Sequence, residues 1–244
     1  MDWLRAGTPD PFGDPETYFR RYQRGTMPRA SYTVMSWWDY GYWILRAGRR
    51  VPASTPSQLG AADAGRFFTA TTEAEATAVM ARNQARYVVA DSGLALQRTS
   101  DGSAFVGKFD AVALWAGRQP SEFYDTVWSR RPDGSLGSIV VFFPDYYRSM
   151  AFRLSRPDPG AAEAPRSVWV ISYEDRRNPS GEPIREVVRS TEFAGYAEAV
   201  AHLARLGPGP HLLVGLDPAH TCVPLEPLRS FELLAEVCDA LARD

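Results

Sequence analysis

The sequence predicts a mixed, layered α/β core with β-rich insertions or additions. In the first half, short β-branched or aromatic runs such as 31–36 and 87–90 alternate with helical patterns, and this order favours some parallel strand pairing. In the second half, strand-like runs are separated by turns rich in Gly, Pro and Asp. We therefore expect one domain over 1–244, with an α/β part at 1–118 and a β-richer part at 119–244.

The elements of the first half follow from strand composition and from helix boundary signals. Ser31 to Ser36 predicts a strand, and the aromatic run 37–45 lacks alternation, so it predicts a turn that enters a helix with Asp39 as its N-cap. That helix should end near Gly48. The remaining signals are an extended run at 50–53, a Pro, Ser and Gly-rich segment at 53–60, a capping box of Thr72 and Glu75 that opens a helix to about Gln84, and a buried strand at 87–90.

The second half is predicted mainly from apolar runs bounded by turns. The expected strands are Gly107 to Trp115, Ser138 to Phe143, Val168 to Tyr173 and His211 to Leu216. The expected helices are Tyr146 to Leu154, a segment carrying Phe193 to Leu203 at helical spacing, and a last helix carrying Phe231 to Leu241. An insertion is expected around 155–190, with its loop at 158–164.

Charge and hydropathy exclude several classes of protein. Lys and Arg number 27 and Asp and Glu number 29, so the net charge is −2 and nucleic acid is not an expected partner. No apolar run reaches the ~18 to 20 residues that a membrane span needs, and Asp2, Arg5 and Asp10 interrupt any secretory signal. The chain as given is expected to be soluble. Cys222 and Cys238 lack metal-ligand spacing, and a bridge between them is possible but unforced.

The sequence contains no self-sufficient catalytic centre. His202, His211 and His220 are scattered over a helix, a strand and a loop, without a serine elbow or a carboxylate cluster nearby. The run Gly-Pro-Gly-Pro at 207–210 is a turn and not a phosphate-binding loop. We expect neither catalytic residues nor a metal site within these 244 residues.

An aromatic cluster around one carboxylate is the exception. Trp37, Trp38, Asp39, Tyr40 and Gly41 are contiguous, and Tyr42 and Trp43 follow. Three Trp within seven positions cannot all face one core where a turn enters a helix. Two indole N–H donors and a carboxylate acceptor that converge would bind a small hydroxyl group, while the ring faces contact a methyl. The cluster therefore suits a Ser or Thr side chain. Trp43 should lie buried on the helix, where it affects stability more than recognition.

This run resembles the W-W-D-Y-G signature of the catalytic subunit of oligosaccharyltransferase, the membrane enzyme that transfers a lipid-linked glycan to Asn in N-x-Ser/Thr sequons. Looser likenesses lie at 3–11, at 147–154 and at 223–233. In the family a second motif completes the hydroxyl pocket, as D-x-x-K or M-x-x-I. The best match here is Phe105-Val106-Gly107-Lys108-Phe109 with Val112 in the trailing apolar place. Lys108 is the only lysine of the chain, whereas Phe105 stands at the aspartate position and Asp91 and Asp101 are competing acids.

The secondary structure around Lys108 decides whether this second motif can form one surface. In a helix, Phe105, Lys108 and Val112 share a face, whereas in a strand Phe105 and Lys108 point in opposite directions. Only the helix would bring all three to the aromatic cluster.

The resemblance implies that catalysis resides in a membrane-embedded half absent from this chain. That half would hold Mg²⁺ or Mn²⁺, bind the lipid-linked oligosaccharide and anchor the domain through a preceding membrane segment. The chain would then bind the acceptor polypeptide on the extracytoplasmic side, periplasmic or extracellular in a prokaryote. The alternative is a noncatalytic extracytoplasmic peptide- or carbohydrate-binding module that uses the Trp cluster as a stacking platform.

Overall fold

The computed structural model describes residues 1–23, 26, 28–95, 97–98, 104–105, 108–155 and 167–215. Within these ranges the chain is mixed α/β, as predicted. No helix in them is long and apolar enough to cross a bilayer.

The first half is built on two parallel strands. Its elements are α1 (Asp2–Gly7), β1 (Thr33–Ser36), α2 (Gly41–Arg46), α3 (Ala61–Thr69), α4 (Glu73–Arg82), β2 (Ala85–Val89), β3 (Gln97–Arg98), β4 (Ala104–Phe105) and α5 (Phe109–Ala116). Strand β1 pairs in parallel with β2, from Thr33 opposite Ala85 to Ser36 opposite Val89. On its other side Val34 forms a parallel bridge to Pro52. The strands expected at 31–36 and 87–90, the presence of parallel pairing and the capping box of Thr72 and Glu75 are confirmed, whereas the run at 50–53 forms only a bridge at Pro52.

Helix α5 corrects the prediction of a strand at 107–115. Phe109, Val112 and Ala113 are completely buried, and their spacing of three and four residues is that of a helix face. Gly65 of α3 allows the two helices to touch, because a Cβ there would lie 2.7 Å from the carbonyl oxygen of Val112. The apolar residues at adjacent positions are also typical of a buried strand, which is why a strand was predicted. The segment is a helix because its apolar face packs on α3.

The second half contains a five-stranded sheet in the order β6-β5-β8-β7-β9. Its elements are β5 (Tyr124–Arg130), β6 (Leu136–Phe142), α6 (Pro144–Arg148), α7 (Met150–Leu154), β7 (Val168–Arg177), β8 (Pro183–Phe193), α8 (Tyr196–Leu206) and β9 (His211–Val214). Neighbouring strands are antiparallel except β5 and β8, which meet in parallel where Trp128 lies opposite Glu186. Strands β6, β7 and β9 and helix α8 match expected elements.

Several elements differ from the expectation. The helix expected at 146–154 is two short helices, because Ser149 leaves the helical backbone and caps α7 through its hydroxyl, which accepts from the Phe152 N–H. Helices α1 and α3 and strands β3, β4, β5 and β8 were not predicted from the sequence. Residues 158–164, His220, Cys222, Cys238, Asp101 and the last helix lie outside the described residues.

Two hydrophobic regions divide the buried side chains. The larger core joins β1, β2 and α2 to α5 and reaches Phe123, Tyr146 and Met150 of the later segments. The smaller clusters lie on the two faces of the five-stranded sheet, with Val170 and Ala199 buried between β7 and α8. The aromatic motif that follows β1 belongs to the larger core.

Candidate functional site

The aromatic motif begins at the carboxyl end of β1, where the backbone is held on both sides. The hydroxyl of buried Ser54 donates to the Ser36 carbonyl at 2.9 Å. Gly41 then packs directly against this segment, because a Cβ at that position would lie 2.3 Å from the Ser54 carbonyl oxygen. The chain therefore turns sharply after β1, through a short 3₁₀ helix at Trp38–Tyr40, into α2.

The two tryptophans of the turn form a buried stack beside an exposed carboxylate. The Trp37 and Trp38 rings lie 3.6 Å apart between centroids at an interplanar angle of 27°. The Trp37 Nε1–H donates to Asp39 Oδ2 at 2.8 Å. Asp39 is exposed, so its carboxylate remains in contact with solvent beside the rings. The Trp37 donor is already paired with Asp39, and the site presents an anchored acceptor to solvent.

Asp39 does not cap the helix. Tyr40 occupies the N-cap position of α2 and Trp37 that of the preceding 3₁₀ turn, and neither has a side-chain capping bond. The prediction of Asp39 as N-cap was wrong, because the Trp37 indole takes its carboxylate instead. The same hydrogen bond leaves Asp39 oriented towards the outer surface.

Lys108 meets the motif across 68 positions of sequence. Its Nζ donates to the Tyr40 hydroxyl at 2.9 Å and lies 3.3 Å from Asp91 Oδ2. The Tyr40 hydroxyl also donates to Asp91. Lys108 Nζ stands 5.8 Å from the Trp37 ring centroid and 5.0 Å from that of Tyr40, within the range of cation–π attraction. An ammonium, a phenol and a carboxylate thus form one hydrogen-bonded cluster beside the tryptophan stack.

The topology explains this encounter. Tyr40 follows β1 and Asp91 follows β2, and parallel strands place their carboxyl ends at the same edge of a sheet. Asp91 is held there because its Oδ1 accepts from the Gly93 N–H at 2.6 Å. Helix α5 runs past both, with Lys108 at its start and Trp115 of its last turn in edge contact with Trp38.

Burial and charge shift the pKa values of this cluster. Burial alone would lower the pKa of Lys108, but the hydrogen bond to Tyr40 and the negative charge of Asp91 outweigh it and raise the pKa. Burial, followed by the hydrogen bond to Asp91, raises the pKa of Tyr40. At neutral pH the cluster therefore holds a protonated ammonium and a protonated phenol against a carboxylate.

The other residues of the expected second motif are placed differently. Helix α5 begins at Phe109, so Phe105 belongs to the short strand β4 and does not share a helix face with Lys108. Val112 is on α5 but completely buried, so it supports the helix and does not line an open surface. The expectation of one face shared by Phe105, Lys108 and Val112 was wrong, because the helix starts too late.

Asp91, left as a competing acid by the sequence, is the carboxylate that contacts Lys108. A spacing rule could not find it, because 17 positions separate the two residues and include the pair β3 and β4. The signal that could have found it is topological, since Asp91 directly follows a strand predicted to pair in parallel with the strand before the motif.

Trp43 faces solvent, in contrast to the expectation that it is buried. Its side chain is 65% exposed, while Ile44 on the opposite side of α2 is completely buried. As expected, the three tryptophans do not share one core. Trp37 and Trp38 are buried in it, and Trp43 lies outside it.

The exposed side of the site offers hydrogen-bonding groups beside aromatic edges. Within the described ranges no three His, Cys, Asp or Glu side chains are grouped to hold a metal ion. The anchored Asp39 carboxylate can accept a hydrogen bond, the Lys108 ammonium can donate one, and the indole edges provide an apolar wall. Such a set fits a small hydroxyl-bearing side chain.

Comparison with known proteins shows which proteins this chain resembles. Residues 1–95 match the family described as the AglB core domain. The chain is 29% identical over 203 residues to the dolichyl-monophosphooligosaccharide–protein glycotransferase AglB of Haloferax volcanii, covering 74% of this chain and 18% of that protein. It is 31% identical over 154 residues to dolichyl-phosphooligosaccharide-protein glycotransferase 3 of Archaeoglobus fulgidus, covering 56% of this chain and 17% of that protein.

These matches confirm the resemblance drawn from the motif: the chain is similar to the AglB-type oligosaccharyltransferases. It spans less than a fifth of the length of these curated relatives. Among solved structures, the C-terminal globular domain of an A. fulgidus oligosaccharyltransferase is 33% identical with a TM-score of 0.34, covering 41% of this chain and 62% of that one. The A. fulgidus AglB in complex with an inhibitory peptide and a dolichol-phosphate is 24% identical with a TM-score of 0.47, and the match covers 85% of this chain and 26% of that one.

Proposed function

We propose that this chain is the acceptor-recognition domain of an oligosaccharyltransferase, in which Trp37, Trp38, Asp39 and Lys108 bind the Ser or Thr hydroxyl of an N-x-Ser/Thr sequon. The observation that carries the proposal is the hydrogen bond between Lys108 Nζ and Tyr40, which joins the only lysine of the chain to the aromatic motif. Asp39 would accept the proton of the hydroxyl, Lys108 would donate to its oxygen, and the tryptophans would contact the methyl of Thr.

Tyr40 and Gly41 serve the same site in different ways. Tyr40 holds the ammonium of Lys108 through its hydroxyl, together with Asp91. Gly41 permits the close turn that presents Asp39, since any side chain would collide with the Ser54 backbone. Val112, taken from the sequence motif, would act only through the position of α5, and Phe105, on β4, is given no role in the site.

The remaining parts of the reaction belong to other segments of the longer enzyme. The relatives named above act on dolichyl-phosphate-linked oligosaccharides. We propose that a membrane-embedded half binds that lipid-linked donor and Mg²⁺ or Mn²⁺, and that this domain lies on the extracytoplasmic side as one unit with its β-richer part. The glycan then passes to the Asn amide nitrogen, and the lipid phosphate or diphosphate departs.

The test is steady-state glycosylation of Asn-x-Thr and Asn-x-Ser peptides by the full-length enzyme. Asp39→Asn and Lys108→Met should each lower kcat/KM by about 10- to 100-fold, because a site built to hydrogen-bond a hydroxyl loses that much when a partner is removed. Arg205→Met removes a positive charge from exposed α8 and should leave kcat/KM unchanged. Wild-type kcat/KM in both motif variants would refute the proposal.

Lys108→Arg separates charge from shape. A guanidinium keeps the positive charge, but it is planar and longer than an ammonium, so it should fit poorly between Tyr40 and Asp91. We expect a loss of about tenfold in kcat/KM with the Thr peptide, while the melting temperature stays near that of the wild type. Full activity of Lys108→Arg would mean that charge alone matters at this position.

A further inference from the structure

The outward face of α2 carries aromatic and basic side chains that the proposed sequon site does not use. Tyr42, Trp43, Arg46 and Ala47 line an open cleft of about 400 Å³. Trp43 is 65% exposed and Tyr42 is 52% exposed. Two neighbouring exposed rings form an apolar patch, and exposed apolar patches rimmed by polar residues are typical of interaction sites.

A further arginine lies beside an exposed aromatic ring just beyond the end of this helix. Arg49 follows α2 by three positions, and its guanidinium lies 5.2 Å from the ring centroid of Phe19, which is 55% exposed. Among the described residues, no carboxylate forms an ion pair with Arg46 or Arg49. The face therefore combines large aromatic rings with two arginines whose positive charge no described carboxylate neutralises.

We propose that this face of α2 lies on the headgroup region of an anionic lipid bilayer, with Trp43 and Tyr42 inserted at the interface and Arg46 and Arg49 paired with lipid phosphates. Trp and Tyr are the side chains enriched at the headgroup level of membranes, because their rings are amphipathic. Arginines near an anionic lipid surface are attracted to its phosphates. The net charge of −2 does not oppose this, since only the local face meets the lipid.

The size of the face favours lipid over a second copy of the chain. Helix α2 has six residues and is therefore only about 9 Å long. Two partly exposed aromatic side chains offer roughly 250 Å², well below the ~800 Å² per partner of a stable protein interface. A bilayer needs only shallow insertion of a few rings, assisted by charge.

The experiment is sedimentation of the 244-residue chain with vesicles of phosphatidylcholine alone or mixed with phosphatidylglycerol. We expect binding to the anionic vesicles that weakens with salt, and quenching of Trp43 fluorescence by bromolipids. Trp43→Ser should reduce the partition coefficient roughly tenfold, and Arg46→Gln about fivefold on anionic vesicles only. Ile139→Ser, an exposed apolar residue of β6, is the matched control and should not change binding.

The proposal does not depend on sequon recognition and fails separately from it. It is overturned if the wild-type chain does not sediment with anionic vesicles, or if Trp43→Ser binds as well as the wild type. It is also overturned if Trp43→Ser abolishes a concentration-dependent dimer, or if Asn-x-Thr peptide protects Trp43 from a water-soluble quencher. Because Trp43 is largely exposed, the variant should fold, and circular dichroism checks this.

Discussion

Two ends of one aromatic run, seven residues long, have opposite environments. Trp37 and Trp38 are buried, stacked and tied to Asp39 and the Lys108 cluster. Trp43, on the helix that follows, is 65% exposed and contacts no ring among the described residues. The difference arises where the chain leaves β1, since Gly41 lets the backbone turn so closely that the next residues face outward. Tryptophan therefore packs in the core and holds Asp39 at one end of the run, and lies on the surface at the other.

Truncating a tryptophan at each end of the run tests whether the two ends are packed differently. Trp38→Ala should lower the free energy of unfolding by about 3–5 kcal/mol, as for other buried tryptophans, because it removes a ring packed between Trp37 and Trp115. Trp43→Ala should change it by less than about 1 kcal/mol, since surface substitutions seldom do more. Urea unfolding of both variants measures the contrast. Equal losses would mean that the two ends are packed alike.

The turn itself can be tested by adding one methyl group. Gly41→Ala places a Cβ 2.3 Å from the Ser54 carbonyl oxygen, so the backbone must shift. We expect a loss of about 1–3 kcal/mol in the free energy of unfolding, together with weaker sequon use because Asp39 moves. The matched control is Gly195→Ala, where the added Cβ meets nothing within 4 Å. A stability unchanged by Gly41→Ala would show that the close turn is not required.

The parallel sheet could be predicted from the sequence because β1 and β2 are short β-branched or aromatic runs with clear boundaries. The aromatic site could be predicted in part, since three residues of rare types, the two Trp and the Tyr, within five positions are informative without any fold. Asp91 could not be fixed as the partner of Lys108, because their meeting depends on which strand ends share an edge. Helix α3 was missed although one of its faces is apolar, because it begins after Gly60 without a capping side chain and contains Gly65, and it forms because α5 packs on it.

A smaller effect concerns pH. Lys108 and Tyr40 both have folded pKa values above their unfolded ones. Their contribution to stability is therefore complete below the unfolded pKa values, near 10 to 10.5, and is lost as pH rises through the folded values. The melting temperature should fall above about pH 10, and less steeply in the double variant Tyr40→Phe, Lys108→Met than in the wild type. The remaining slope comes from other tyrosines, such as Tyr147, whose pKa burial raises to about 12. Identical slopes would show that the cluster adds no proton linkage.

The central claim is that the Trp37 end, and not the Trp43 end, meets the acceptor hydroxyl. The indole N–H resonances of the ¹⁵N-labelled chain report on both residues, assigned by Trp37→Phe and Trp43→Phe. Titration with an Asn-x-Thr peptide should shift the Trp37 indole signal, because its hydrogen bond to Asp39 changes when the carboxylate accepts a second donor. An Asn-x-Val peptide should not shift it, and Trp43 should stay constant with both peptides. A shift of Trp43 without a shift of Trp37, or equal shifts with Thr and Val peptides, would contradict the claim.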